Sequence, residues 1–130
     1  MTEDYLFVYG TLRKETARHD LLQQLCEFIG IGTLQACLYQ ISYYPGLIKS
    51  DDPRQNVLGE VYRIKNHEML FAELDDYEEC SSSFSEPHEY VRRQQMIMLS
   101  DGRQVLAWVY LYNRSTTGLK LITSGDFLNP

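Results

Sequence analysis

Two short stretches of the sequence carry residue types suited to chemistry on a small polar molecule. The first follows an aromatic and β-branched run that ends at Tyr9, which is typical of a buried strand. A glycine then lets the backbone turn, and the amides that follow have no obvious strand partner. Grouped backbone N–H groups form a site for a carboxylate or a polarised carbonyl oxygen. The turn begins at Gly10, and its donors are the amides of Thr11, Leu12 and Arg13.

The second stretch is a cluster of acids at the end of a predicted helix. Asn66 is a suitable N-cap, and Leu70, Leu74 and Tyr77 share one face of the helix. Acids crowded at the C-terminal end of a helix repel one another, so at least one carboxyl should have a raised pKa unless it finds donors. A donor turn together with such an acid suits proton transfer during amide chemistry. The acids are Asp75, Asp76, Glu78 and Glu79.

Other common catalytic patterns are absent from the sequence. It has no defensible Ser-His-Asp spacing, no metal-ligand cluster and no nucleotide-binding glycine pattern. The histidines at positions 19, 67 and 88 are isolated in polar surroundings, and the three cysteines are widely spaced. We therefore expect no metal, no cofactor and no disulfide framework, and we interpret the cysteines as reduced thiols.

Composition narrows the choice of partner and compartment. The 130 residues carry a formal charge of -6, and a protein that binds nucleic acid usually presents a basic face. The first residues are acidic where a secretory signal would be basic, and the apolar run after them is too short to span a membrane. We expect a cytoplasmic protein with one domain over residues 1–130, a small-molecule substrate, no nucleic-acid partner and no membrane partner.

The remaining elements are predicted from periodicity and turn signals. A helix that begins near Asp20 and runs to Ile29 would be ended by Gly30 and Gly32. Period-two patterns predict strands from Thr33 to Ser42, over Leu47-Ile48, from Val57 to Ile64, from Tyr90 to Leu99 and from Gln104 to Tyr112.

Four further features of the sequence make specific predictions. Asp101-Gly102 favours an antiparallel hairpin between the last two long strands, and both faces of the second of these look covered. Glu60 lies on an apolar strand face, so we expect a basic or donor group beside it. The apolar segment from Gly118 to Leu128 should pack on the body of the domain. Together the elements predict a barrel-like α+β domain.

The chain also resembles the γ-glutamylcyclotransferase-like family, which includes AIG2-like and YtfP-like proteins. The resemblance begins with Tyr9-Gly10-Thr11-Leu12 after the first strand and continues in family order over nearly the whole chain. It implies an α+β fold with a mixed, mostly antiparallel, β-barrel-like sheet and flanking helices. The later matching segments are Tyr44-Pro45-Gly46, Gly59-Glu60-Val61-Tyr62, Leu74-Asp75-Asp76-Tyr77-Glu78, Tyr90-Val91-Arg92-Arg93, Trp108-Val109-Tyr110 and Ser124-Gly125-Asp126-Phe127-Leu128.

The resemblance implies a chemistry as well as a fold. Enzymes of this family convert a γ-glutamyl amine or γ-glutamyl peptide into 5-oxoproline and a free amine, without a cofactor. The resemblance places Glu78 as the general acid/base. Glu60 and Asp126 also match family positions, and we interpret them as structural partners. The implied substrate-binding residues are Tyr9, Gly10, Thr11, Leu12, Arg13, Tyr90 and Tyr110.

Alternatives to these roles follow from the residues themselves. Glu78 would otherwise be a solvated acid at a helix end, with Glu79 as its nearest competitor, and the tyrosines would be packing residues with satisfied hydroxyls. The family often has glycine after its catalytic glutamate, whereas this chain has Glu79-Cys80. A non-catalytic small-molecule-binding protein of the same fold is therefore a second hypothesis. A structural protein that associates through its tyrosine surfaces is a third.

Overall fold

The computed structural model describes residues 4–9, 24–41, 45–66, 68–72 and 90–127. Within these residues the regular secondary structure is mostly strand, and helical conformation is confined to residues 24–25 and 68–72. The strands of the described part are β1 (Tyr5–Val8), β2 (Cys26–Gln40), β3 (Pro45–Lys49), β4 (Asn56–Ile64), β5 (Tyr90–Leu99), β6 (Gln104–Tyr112) and β7 (Lys120–Leu121).

Five of these strands close into a barrel. The ring runs β2, β4, β1, β6 and β5, and β5 returns to β2 through the pairs Gly32 with Leu99 and Thr33 with Met98. Strand β1 is antiparallel to β4 and parallel to β6, which makes the sheet mixed. Strands β3 and β7 both pair with the second half of β2. The prediction of a mixed, mostly antiparallel, barrel-like sheet is confirmed.

The barrel interior is an apolar core whose residues alternate with outward-facing ones along each strand. On β6, Ala107 and Val109 belong to the interior cluster, whereas Trp108 and Tyr110 belong to a second cluster on the outer face. The predicted two-sided covering of β6 is therefore confirmed. Period-two geometry alone produces this division, since successive side chains of a strand point to opposite faces.

The outer cluster is covered in part by the helical segment 68–72. The Asn66 side chain accepts a 3.1 Å hydrogen bond from the amide of Met69, which confirms the predicted N-cap. Leu70 and Phe71 are buried against the strands. The remainder of the predicted helix, including Leu74 and Tyr77, lies outside the described residues.

The helix predicted from Asp20 to Ile29 is wrong over its second half. Residues 26–30 begin the 15-residue strand β2 and pair with β4, with a bulge between Phe28 and Gly30. Leu25 and Cys26 do face the outer cluster, but the ladder to β4 decides the backbone conformation. Glycine at position 30 is compatible with a bulged strand as well as with a helix end. The described residues do not support the predicted flanking helices.

The hairpin and the C-terminal segment match their predictions. β5 and β6 are antiparallel from the pair of Tyr90 with Tyr112 to that of Met98 with Gln104. Gly102 in their connection has φ of 92°, a conformation that favours glycine. In the C-terminal segment β7 pairs with β2, and Ile122 is buried in the interior cluster.

One glycine on β4 permits close strand packing. A Cβ atom at Gly59 would lie 2.4 Å from the carbonyl oxygen of Val8 and 2.6 Å from the Phe7 ring. The end of β1 therefore sits closer to β4 than any larger residue at position 59 would allow. No helix within the described residues is long and apolar enough to cross a membrane.

Candidate functional site

The predicted site residues fall into two groups. Tyr9, Tyr90 and Tyr110 are described by the structure, and all three are buried. The donor turn of Gly10, Thr11, Leu12 and Arg13 lies outside the described residues, as does the acid cluster with Glu78. The structure therefore describes the residues that precede these two segments in the sequence, which are Tyr9 after β1 and the helical segment 68–72.

Tyr9, which follows β1, is held by a hydrogen bond to the neighbouring strand β6. Its hydroxyl donates a 2.5 Å hydrogen bond to the backbone carbonyl oxygen of Tyr110, and its side chain is 7% exposed. Its ring packs in the barrel interior, 6.4 Å from the ring of Phe7. These contacts fix the residue that immediately precedes the donor turn.

Tyr90 holds the start of β3. Its hydroxyl donates a 2.6 Å hydrogen bond to the carbonyl oxygen of Pro45. Its ring meets the ring of Tyr112 edge to face, with centroids 5.6 Å apart. A Cβ atom at Gly46 would lie 2.8 Å from the Tyr112 ring, so β3 is pressed against this aromatic pair.

Glu60 is a buried acid beside the end of β1. It is 4% exposed, and its backbone lies opposite Val8 in the β1–β4 ladder. The hydroxyl of Tyr62 donates a 2.8 Å hydrogen bond to Glu60 Oε1, which confirms the donor expected from the sequence. The hydrogen bond gives this buried carboxyl a donor, as a buried polar group requires.

Arg92 joins the helical segment to the sheet. Its guanidinium carbon lies 3.9 Å from the centroid of the Phe71 ring and 5.3 Å from that of Trp108. The two rings also meet each other edge to face at 5.7 Å. A planar guanidinium stacks favourably on aromatic faces. Phe71 is therefore packed against both β5, through Arg92, and β6, through Trp108.

Sequence reasoning did not identify this Arg92 cluster. Arg92 lies in a segment that supported the family resemblance, but its side chain was given no role there. The sequence did contain a signal, because Arg92 lies two residues after Tyr90 on a strand and therefore shares a face with it. What no pattern supplied was the pairing of that face with Phe71.

Other polar features of the described residues lie away from these anchor points. A cavity of about 50 Å³ lies beside β7 and is lined by residues that include Cys37, Arg54 and Gln55. It has room for water but not for an amino-acid derivative. Burial raises the pKa of Cys26 to about 12, which the positive charge of Lys65 opposes only in part. Within the described residues, no cluster of His, Cys, Asp and Glu side chains could hold a metal ion.

The exposed ion pairs belong to the surface of the fold. Arg63 pairs with Glu27 across β4 and β2, and its hydrogen bonds and charge lower the pKa of that carboxyl. Arg103 pairs with Asp101 in the hairpin connection at 2.8 Å. The backbone amide of Arg103 is the main cause that lowers the pKa of Asp101, and the side chain of Arg103 adds to it. Exposed pairs of this kind contribute little to stability.

Comparison with known proteins identifies the family. The chain matches the family described as gamma-glutamyl cyclotransferase, AIG2-like, over residues 6–129. It therefore belongs to that family. The YtfP protein of Escherichia coli (strain K12), named as a gamma-glutamylcyclotransferase family protein, is 39% identical to it over 126 residues. The match covers 95% of this chain and 96% of YtfP.

Solved structures show the same fold. An AIG2-like protein from Mus musculus superposes with a TM-score of 0.71 at 25% identity, over 92% of this chain and 86% of that one. The YkqA protein of Bacillus subtilis gives a TM-score of 0.74 at 26% identity. That match covers 98% of this chain and 40% of YkqA, so this chain corresponds to less than half of that protein.

Proposed function

We propose that this protein is a γ-glutamyl cyclotransferase, which converts a γ-glutamyl amine or γ-glutamyl peptide into 5-oxoproline and a free amine. The observation that carries the proposal is the family match over residues 6–129, a range that includes both the donor turn and the acid cluster. We further propose that residues 1–130 act as one domain on a small molecule, in the cytoplasm and without a cofactor.

The proposed reaction is an intramolecular aminolysis. The α-amine of the γ-glutamyl group attacks its own γ-carbonyl carbon, a new C–N bond closes the five-membered ring, and the C–N bond to the departing amine breaks. Nucleophile and electrophile belong to one molecule, so the protein has to hold the chain in the cyclising conformation. Orientation of this kind contributes at most about 7 to 11 kcal/mol to lowering the barrier.

Glu78 is the proposed proton carrier. At neutral pH the α-amine is mostly an ammonium, so a base must take its proton before or during attack. In this proposal the carboxylate of Glu78 accepts one proton from the ammonium and then donates it to the departing nitrogen. The attacking nitrogen loses a second proton as it becomes the lactam N–H, and this proton passes to the released amine, which leaves as an ammonium while Glu78 returns to its carboxylate form. A carboxyl with a pKa raised towards neutrality performs both halves of this transfer best.

The donor turn is the proposed holder of the γ-glutamyl group. Backbone amides of Gly10, Thr11 and Leu12 would bind its oxygen atoms and stabilise the charge that develops on the γ-carbonyl oxygen. Arg13 would attract the substrate carboxylate. We propose Tyr9, Tyr90 and Tyr110 as residues that shape the cavity, and the hydrogen bonds of Tyr9 and Tyr90 support a rigid wall there.

A product assay tests this proposal. Purified protein is incubated with a panel of γ-glutamyl amines and γ-glutamyl dipeptides, and 5-oxoproline is quantified by mass spectrometry. We expect product from at least one substrate and a loss of about a hundredfold or more in Glu78→Gln, because general acid–base catalysis contributes about 10² to 10⁴. Glu68→Gln, an exposed acid at the start of the helical segment, is the matched control and should retain full activity.

Two results would contradict the proposal. Full activity in Glu78→Gln would remove the proposed proton carrier. Stabilisation of the protein by 5-oxoproline or γ-glutamyl compounds in a thermal-shift assay, with no product from any of them, would instead support a binding protein of the same fold.

A further inference from the structure

The residues that hold Phe71 and Tyr9, which precede the two proposed site segments in the sequence, lie opposite each other in the sheet. Arg92 on β5 and Tyr110 on β6 are directly opposed in the antiparallel ladder. The Arg92 side chain contacts Phe71 of the helical segment, and the Tyr110 carbonyl accepts the hydrogen bond from Tyr9. One pair of sheet residues therefore holds both the helical segment and the residue before the donor turn.

The sequence ties these anchors closely to the proposed chemistry. Gly10 follows Tyr9 directly, and Glu78 follows Phe71 by a stretch as long as about two helical turns. The segment that carries Glu78 therefore begins, in sequence, next to a residue whose ring is held against the sheet. A displacement of about 1 Å between reacting groups can cost about a hundredfold in rate.

We propose that Arg92 is a positioning residue for catalysis, which acts through Phe71 to hold the segment leading to Glu78 at a fixed place relative to the Tyr110–Tyr9 anchor of the donor turn. The inference rests on the proposed function. The guanidinium is the important feature, since its central carbon lies 3.9 Å from the Phe71 centroid and 5.3 Å from that of Trp108. The long side chain of Arg92 reaches outward from β5 to the ring that covers that face of the sheet.

The test is a double-mutant cycle between the two contacting residues. The full chain is prepared in its natural form and as Arg92→Met, Phe71→Leu and the double variant, and circular dichroism selects a temperature at which all are folded. KM and kcat for 5-oxoproline formation are then measured. Trp108 is the single tryptophan of the sequence. Its fluorescence, excited at the long-wavelength edge of its absorption band where tyrosine absorbs little, should report the loss of the neighbouring Phe71 ring or Arg92 guanidinium.

We expect each single variant to lower kcat by about tenfold to a hundredfold with less change in KM, because substrate is still bound while Glu78 is displaced. The double variant should be no slower than the slower single variant, since both changes break the same contact.

Two further variants test the chemical basis of the effect. Arg92→Lys keeps the positive charge but not the planar guanidinium, and its kcat should lie between those of the natural protein and Arg92→Met. Arg103→Met, which removes an exposed arginine of the β5–β6 hairpin, is the matched control and should retain the natural kcat.

Three outcomes would overturn the inference. The first is a natural kcat in Arg92→Met. The second is a double variant whose fold-decrease in kcat equals the product of the fold-decreases of the two single variants. The third is a decrease of kcat in the Arg103→Met control as large as that in Arg92→Met. If the natural protein forms no 5-oxoproline from any substrate, the proposed function fails, and the catalytic role of Arg92 fails with it. Product formed equally well by the natural protein and by Arg92→Met overturns the inference on Arg92 alone.

Discussion

The hydroxyl of Tyr9 donates a 2.5 Å hydrogen bond to the backbone carbonyl oxygen of Tyr110, across a sequence separation of 101 residues. This bond ties the end of the first strand to the penultimate strand of the described residues. Because Gly10 follows Tyr9 directly, the bond fixes the residue that precedes the proposed donor turn.

Removal of this hydroxyl should weaken both stability and activity. Tyr9→Phe keeps the packed ring but loses the buried hydrogen bond, so the free energy of unfolding should fall by about 1 kcal/mol. Urea unfolding and the 5-oxoproline assay are the measurements. Tyr39→Phe, at a half-buried tyrosine of β2, is the control and should change neither by as much. Equal effects of the two substitutions would show that the Tyr9 hydroxyl has no special role.

The buried acid of β4 should depend on its tyrosine neighbour. Tyr62→Phe removes the hydroxyl that donates a 2.8 Å hydrogen bond to Glu60 Oε1, and Glu60 is buried. The lost donor should lower the free energy of unfolding by about 1 to 3 kcal/mol. Glu60→Gln retains an oxygen acceptor for the Tyr62 hydroxyl and should cost less. A stability of Tyr62→Phe equal to that of the natural protein would contradict this interpretation.

Gly59 should not tolerate even a methyl group. In Gly59→Ala the new Cβ would lie 2.4 Å from the Val8 carbonyl oxygen, so β1 and β4 must separate at the end that leads to the donor turn. We expect a loss of about 1 to 3 kcal/mol in unfolding free energy. Gly30→Ala is the matched control, because the nearest atom to its new Cβ would be 3.8 Å away. A Gly59→Ala variant as stable as Gly30→Ala would exclude the close approach.

Cys26 gives a prediction for alkaline pH. Burial raises the pKa of its thiol from 9.0 to about 12, so the folded protein binds the thiol proton more tightly than the unfolded chain does. The resulting stability is fully present below pH 9 and is lost as the pH rises towards 12. Cys26→Ala lacks this term and removes only a buried, nearly apolar group.

The measurement is the difference in unfolding free energy between the natural protein and Cys26→Ala from pH 8 to pH 11. The difference should be constant at first and then shift against the natural protein above pH 9, by less than the one-proton limit of about 1.4 kcal/mol per pH unit. Titrations of lysine and tyrosine occur in both proteins and largely cancel. A difference that stays constant over the whole range would contradict the raised pKa.

The sequence predicted the barrel well because its strands carry local signals. The runs that became β4, β5 and β6 alternate in period two, and Asp101-Gly102 marks the hairpin between the last two. The first half of β2 was missed, since Leu25, Cys26 and Ile29 also fit a helical face. Only pairing with β4, which is distant in sequence, selects the strand there.

The site was predicted through family resemblance and less through pattern. Local pattern found that Glu60 needs a donor, and the structure supplies Tyr62. No local pattern indicates that Tyr9 reaches Tyr110, or that Arg92 reaches Phe71, because these contacts join strands and segments far apart in the chain. Roles for Glu78 and for the turn from Gly10 to Arg13 remain predictions of the resemblance.

The most direct measurement is a crystal structure of the protein with 5-oxoproline bound. We expect the lactam ring to lie between the Glu78 carboxyl and the backbone amides of Thr11 and Leu12, next to the anchor formed by Tyr9 and Tyr110. A ligand bound at any other position, or a Glu78 side chain that points into bulk solvent in that complex, would contradict the proposed cyclotransferase site.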